Sequence, residues 1–204
     1  MAFRPALRTI LGRLLLSTAF CSATLAGAEE LVPNPEFDVA VTTGWTGDTA
    51  NLSWSQDESE CLPPFASGSL LLVPDNIDGA SSAYLCLAAP ASGAVNLTFL
   101  VLAECAETVK GRLRFHPLPA CGGAPGGTDE VGAAIPGGTW DEAGLFNSLV
   151  PVGTQSIWLG LEISPSINQT CNTRFDKIHL GTGVVIQRSG FETGSADCRW
   201  VEVP

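Results

Sequence analysis

Gln155-Ser156-Ile157-Trp158-Leu159-Gly160-Leu161-Glu162-Ile163 carries a large aliphatic residue at every second position. A β-strand turns successive side chains to opposite faces. Ile157, Leu159, Leu161 and Ile163 therefore share one parity, with Ser156, Trp158, Gly160 and Glu162 on the other. Val109–His116 alternates as strictly, with Gly111, Leu113 and Phe115 against Lys110, Arg112, Arg114 and His116. Ala94–Glu104, the longest apolar run, sets Val95, Leu97, Phe99 and Val101 on one face. Ala50–Ser55, Ser69–Val73, Ser82–Ala88 and Thr173–Leu180 are shorter runs bounded by turn residues. Cys121–Gly127 (CGGAPGG) and Ile135–Gly138 (IPGG) are loops, and only Trp140–Leu149 has room for a helical turn. About eight strands separated by turns predict an all-β fold, a jelly-roll β-sandwich with a short C-terminal tail.

Composition agrees. The chain has 204 residues, of which 45% are hydrophobic and 15% charged, enough to fill the core of one domain. Its 22 Gly and 14 Pro suit many turns rather than long helices. No repeat of 20–50 residues occurs. The formal charge of -11 argues against nucleic acid as a partner, because phosphate binding needs a surplus of Lys and Arg.

Residues 1–28 read as a cleaved signal peptide. Arg4, Arg8 and Arg13 precede an apolar stretch from Leu14 to Leu25, and Ala26-Gly27-Ala28 has the form of a cleavage site, making Glu29 the first mature residue. The stretch is too short and too rich in Ser and Thr for a membrane span. The rival reading makes Cys21 the lipidated residue of a bacterial lipoprotein, although the bulky Phe20 stands where such sites want a small residue. Cleavage leaves 7 Lys+Arg against 21 Asp+Glu, a net charge of -14, and six cysteines: Cys61, Cys86, Cys105, Cys121, Cys171 and Cys198. An even count after export fits up to three disulfides. Six cysteines allow 15 pairings. The expectation pairs neighbours in sequence, Cys61–Cys86, Cys105–Cys121 and Cys171–Cys198. No C-x-x-C occurs, and the only histidines are His116 and His179, so a cysteine–histidine metal site is not indicated.

Several motifs, taken in order, resemble galactose-binding-like jelly-roll domains, which include carbohydrate-binding modules of bacterial secreted proteins. Leu31-Val32-Pro33-Asn34-Pro35-Glu36-Phe37-Asp38 followed by Gly44-Trp45 is similar to their opening. Ala66-Ser67-Gly68-Ser69-Leu70 resembles the start of an early strand, and Pro151-Val152-Gly153-Thr154 a turn before a late one. Phe175-Asp176-Lys177-Ile178-His179-Leu180 resembles the closing strand. The resemblance brackets residues 31–180; together with the leader read above, the expected organisation is a signal peptide (1–28), a sandwich domain (29–180) and a tail (181–204). Ser189–Gly194 with Trp200 resembles an ending found on many bacterial exported proteins. The resemblance also implies a structural Ca²⁺ where first and last strands meet, held by Asp38, Asp176 and backbone carbonyls; Ca²⁺ takes six to eight oxygens. Asp38 is shorter than the family's Glu, and Lys177 stands where a second Asp is usual.

Sugar-binding sandwiches stack pyranose rings on exposed aromatics. Trp45, after a glycine turn, is expected in the core. Trp158 lies opposite the aliphatic parity between small residues and is the candidate stacking platform; the alternative is a Trp packed under a loop or the tail. Lys110, Arg112, Arg114 and His116 form a cationic stripe on an acidic chain, suited to a carboxylated or sulfated glycan through bidentate arginine bonds. The alternative is a solvated face paired with acids such as Glu104, Glu107 or Glu162. No G-x-S-x-G, H-E-x-x-H or P-loop motif is present. The reading is a secreted, non-catalytic module binding a glycan or cell-surface polymer, without nucleic acid or membrane span. A structural extracellular protein and a small glycan-active hydrolase with a carboxylate pair are the alternatives. Asn51, Asn96 and Asn168 begin N-x-S/T sequons, which matter in a eukaryotic source.

Overall fold

The computed structural model describes residues 29–37, 42, 44–47, 50–56, 68–74, 81–165 and 171–183. Residues 1–28, expected as a signal peptide, lie outside them, as do Asp38, Cys61, Asn168, Cys198 and residues 184–204. Eleven strands run in order: β1 (Glu29–Glu30), β2 (Thr46–Gly47), β3 (Ala50–Ser55), β4 (Ser69–Pro74), β5 (Ser81–Ala88), β6 (Ala94–Ala103), β7 (Glu107–His116), β8 (Gly127–Ile135), β9 (Trp140–Leu149), β10 (Ser156–Pro165) and β11 (Thr173–Thr182). They build two antiparallel sheets. One has the order β3-β4-β11-β6-β9, with β1 added beside β11; the other is β2-β5-β10-β7-β8. From β4 to β7 and again from β8 to β11 the chain crosses between the sheets at every connection, as a jelly-roll sandwich requires.

The expected parities hold. Ile157, Leu159, Leu161 and Ile163 are fully buried, as are Val95, Leu97, Phe99 and Val101 opposite them. Phe99 meets Phe175 edge-to-face at 5.9 Å. Gly111 breaks the apolar row of β7 for a reason: a Cβ there would stand 2.6 Å from the Phe99 ring. Trp45 is in the core.

Four expectations are corrected. The strand count among the described residues is eleven rather than eight. Residues Trp140–Leu149, expected as the place for a helical turn, form β9, because pairing along β6 outweighs local preference. Residues 127–135, expected only as loop at Gly127 and Ile135, form β8, whose Thr128, Glu130, Gly132 and Ala134 alternate with Asp129, Val131, Ala133 and Ile135 on an edge strand. The disulfides differ as well. Cys86 bonds Cys121 and Cys105 bonds Cys171, with Cα–Cα separations of 5.9 and 5.8 Å. None of the three sequence-neighbour pairings therefore forms. Register explains the second bond: Ala103 pairs with Thr173, so Cys105 and Cys171 each lie two residues further along the same pair of antiparallel strands.

The opening and closing motifs do meet. Leu31 N donates to Leu180 O (2.8 Å), and Ile178 N to Pro35 O (3.0 Å). Phe37 O accepts from the Trp54 indole nitrogen at 2.8 Å and from Gly68 N at 3.0 Å, anchoring the opening segment to β3 and the start of β4. β11 carries a bulge between Asp176 and His179, where Lys177 adopts φ +46°. Asp176 and Lys177 are both buried, at 0% and 5% exposure, as are Thr173, Arg174 and Phe175 before them, so both faces of β11 are covered here. β11 runs on through Thr182, pairing Gly181 with Glu30 and Thr182 with Glu29.

Candidate functional site

The outer face of the five-stranded sheet holds the sequence-predicted binding residues in register. Cys86, Trp158, Arg114 and Thr128 lie in one row across β5, β10, β7 and β8. Tyr84, Gly160, Arg112 and Glu130 form the next, and Ser82, Glu162, Lys110 and Gly132 the third.

Trp158 points outward as its parity predicts and is half-buried. The far edge of its indole sits over Gly160, where a Cβ would lie 2.0 Å from Cη2. From β5, Tyr84 stacks against it at 5.6 Å between ring centroids and 26° between planes. From β7, the Arg114 guanidinium lies 4.3 Å from the ring centroid. The ring is thus flanked and held in place by both neighbouring strands, where an openly accessible ring was expected.

The cationic stripe is outward too, and it is paired. Arg112 meets Glu162 Oε1 at 2.7 Å through Nη1, and Glu130 Oε2 at 2.9 Å through Nη2 and 3.0 Å through Nε. Lys110 stands 3.9 Å from Glu130 Oε1, and Arg114 stands 4.0 Å from Glu162 Oε1. Of the acids expected as partners, Glu162 fills the role. Glu104 instead pairs with Arg174 at 3.6 Å, and Glu107 turns into the sandwich, where the Thr173 hydroxyl donates to it. Burial pushes the Glu107 carboxyl up to about 7, with the Thr173 bond acting against the rise.

His116 leaves the candidate surface. It is 8% exposed, with Nδ1 3.0 Å from Gly123 O, so it anchors the 117–126 loop rather than facing a ligand. That loop is pinned beside Trp158. Ser156 Oγ donates to Leu118 O (2.6 Å) and accepts from Cys121 N (2.9 Å), while the Cys86–Cys121 bond ties the Pro119–Cys121 turn to the residue directly opposite Trp158. Leu118 is left exposed on this wall.

At the junction of β1, β11 and the opening segment, His179 sits between two carboxylates, with Nδ1 2.8 Å from Glu30 and Nε2 2.8 Å from Glu36. Burial opposes the imidazolium, but the two carboxylates outweigh it and push its pKa up to about 9. The Asp176 carboxylate accepts from Lys177 N at 2.7 Å. Among the described residues no group of three His, Cys, Asp or Glu is placed to hold a metal ion.

Tyr84 and Glu130 were missed in the sequence. Tyr84, the only tyrosine, shares the outward parity of its strand, which was the available signal. Glu130 sits on the unrecognised β8. The Asn96 side chain is buried and bonded to Gly183 O and Asn147 N, so that sequon is engaged internally. Asn51 is exposed on β3.

No family model and no curated protein sequence matches the chain. Solved structures do. TmCBM61, solved in complex with β-1,4-galactotriose, matches with TM-score 0.54 at 14% identity, covering 74% of this chain and 97% of that one. The chain has the fold of a carbohydrate-binding module. A xylan-binding domain from Paenibacillus barcinonensis matches with TM-score 0.52 at 13% identity, over 71% of this chain and 89% of that one. The enzymatically active domain of tailspike protein 4 from bacteriophage CBA120 matches at 0.54 and 19% identity over 73% of this chain. The match spans only 21% of that tailspike chain. The described residues contain no helix long and apolar enough to cross a membrane. Two disulfides fit an oxidising compartment.

Proposed function

We propose that this is an exported, non-catalytic glycan-binding module whose ligand lies along the outer face of the five-stranded sheet. One observation carries the reading: the Tyr84–Trp158 aromatic pair is fixed in place next to the Arg112–Glu162–Glu130 network. Aromatic carbon offers apolar contact to the C–H face of a pyranose. Arg and Glu side chains already held by one another donate and accept to hydroxyls at little entropic cost. The sugar-binding structures that share the fold support the same reading, as does the leader-like start of the chain.

Affinity gel electrophoresis and a glycan array test it. Trp158→Ala and Glu162→Gln are each expected to weaken binding about tenfold, the scale of one lost stacking or charge-assisted contact, while melting within a few degrees of the parent. Unchanged binding in both variants sinks the proposed surface. The competing reading, a structural extracellular protein, is favoured by Arg112 already being satisfied by two acids. A null array supports it.

Calcium at Asp38 and Asp176 is a second proposal. The fully buried Asp176 carboxylate at the meeting of the opening and closing motifs supports it. The buried Lys177 beside it opposes it. Chelator is expected to lower the melting temperature, and an unchanged melt removes calcium as a stabiliser.

A further inference from the structure

We infer that the ligand of this face is an acidic glycan, one whose uronic carboxylate is read by Arg114. The inference rests on the glycan-binding reading above and narrows it. Among the stripe's three cations, Arg112 takes all the short contacts, 2.7 Å to Glu162 and 2.9 Å to Glu130. Among the described residues, Glu162 Oε1 is the carboxylate oxygen that pairs with Arg114; it is already engaged by Arg112, and it stands 4.0 Å from Arg114, outside hydrogen-bond reach. Arg114 is 37% exposed and lies over the Trp158 ring. A guanidinium placed over an aromatic ring keeps its in-plane N–H fork for a planar anion, and a carboxylate fits that fork bidentately.

The charge balance points the same way. Among the described residues, Lys110, Arg112 and Arg114 face Glu130 and Glu162, a local surplus of one positive charge on a chain of formal charge -11. Distant acids matter little, since charges beyond about 8 Å are screened at physiological salt. Lys110, also 37% exposed, is 3.9 Å from its nearest acid and lies four residues from Arg114, about 13 Å along a strand. Two under-paired cations so spaced, with an aromatic pair at one of them, suit a chain of pyranoses bearing separate carboxylates. A heavily sulfated chain, with several anions on every ring, would have to set some of them over Glu130 and Glu162, whereas one carboxylate per ring can turn towards the cations.

Isothermal titration with polygalacturonate, its methyl-esterified form and neutral galactan reads the inference. The free acid is expected to bind at least tenfold tighter than the ester, and raising salt from 50 to 500 mM is expected to weaken it. Arg114→Gln is expected to lose most of the acid preference, leaving the share that Lys110 contributes, and Arg114→Lys to keep an intermediate preference. Acid and ester binding equally in the parent, with binding lost in Trp158→Ala, overturns the inference and leaves the glycan-binding reading standing. A sulfated polysaccharide bound as tightly as polygalacturonate, with Arg114→Lys equal to the parent, overturns carboxylate recognition. If no polysaccharide binds, or if neither Trp158→Ala nor Glu162→Gln changes binding, both readings fall together.

Discussion

Gly160 shows how much of the binding face depends on a missing side chain. Its hydrogen leaves the space in which the Trp158 indole rests, and Gly160→Ala must push Cη2 aside. Because the obstacle is the far end of a side chain, the expected result is a modest loss of stability with a shifted tryptophan emission and weakened glycan binding. A normal spectrum and normal binding would show that the ring's seat is irrelevant. Two titrating residues make predictions of their own. The folded-state pKa of Glu107, about 7, lies above its ordinary 4.5. Its neutral form therefore stabilises the fold fully below pH 4.5, and that contribution is lost as pH rises through 7. Glu107→Gln is expected to melt higher than the parent at pH 8, with the advantage gone at pH 4. His179, raised from 6.5 to about 9, stabilises fully below pH 6.5 and loses the contribution as pH rises through 9. The effect is at most about 3 kcal/mol. His179→Gln should lower the melting temperature at pH 6 and have no effect above pH 10. At this scale the sequence was legible where a parity decided the matter, as for Trp158 and Arg112. It was silent where a partner comes from elsewhere in the fold: neither Tyr84 beside Trp158 nor Gly123 over His116 can be read from local spacing.

Among the elements, legibility followed hydrophobic contrast. β7 and β10 alternate between large apolar residues and others, β6 is a long apolar run buried on both faces, and each was found within a residue or two. β8 alternates Ala and Val with Glu, Gly and Thr, so its pattern is faint. In β9, Asn147 at φ +58° and a register shift opposite Val95–Leu97 disturb the period of two. Cystine connectivity likewise belongs to pairing between strands rather than to spacing along the chain. Non-reducing peptide mapping is expected to recover Cys86 linked to Cys121 and Cys105 linked to Cys171; peptides joining Cys61 to Cys86 would contradict the fold. Replacing Cys86 and Cys121 together by Ser is expected to cost about 2–4 kcal/mol. It should also weaken glycan binding, because the 117–126 wall beside Trp158 loses its covalent tie.

For the molecule as a whole, the motifs quoted at its beginning and end proved to be neighbours: the opening segment bonds along β11 through Leu31 and Pro35. The order of the motifs carried that information, since a jelly roll brings its first and last strands together. The pairing of Glu29 with Thr182 has a practical corollary. A short Gly-Ser bridge across that gap should permit circular permutation, with new termini opened in the 150–155 turn. The same proximity would let the sandwich be spliced as a cassette into a surface loop of an unrelated host protein, entering and leaving at nearly one point.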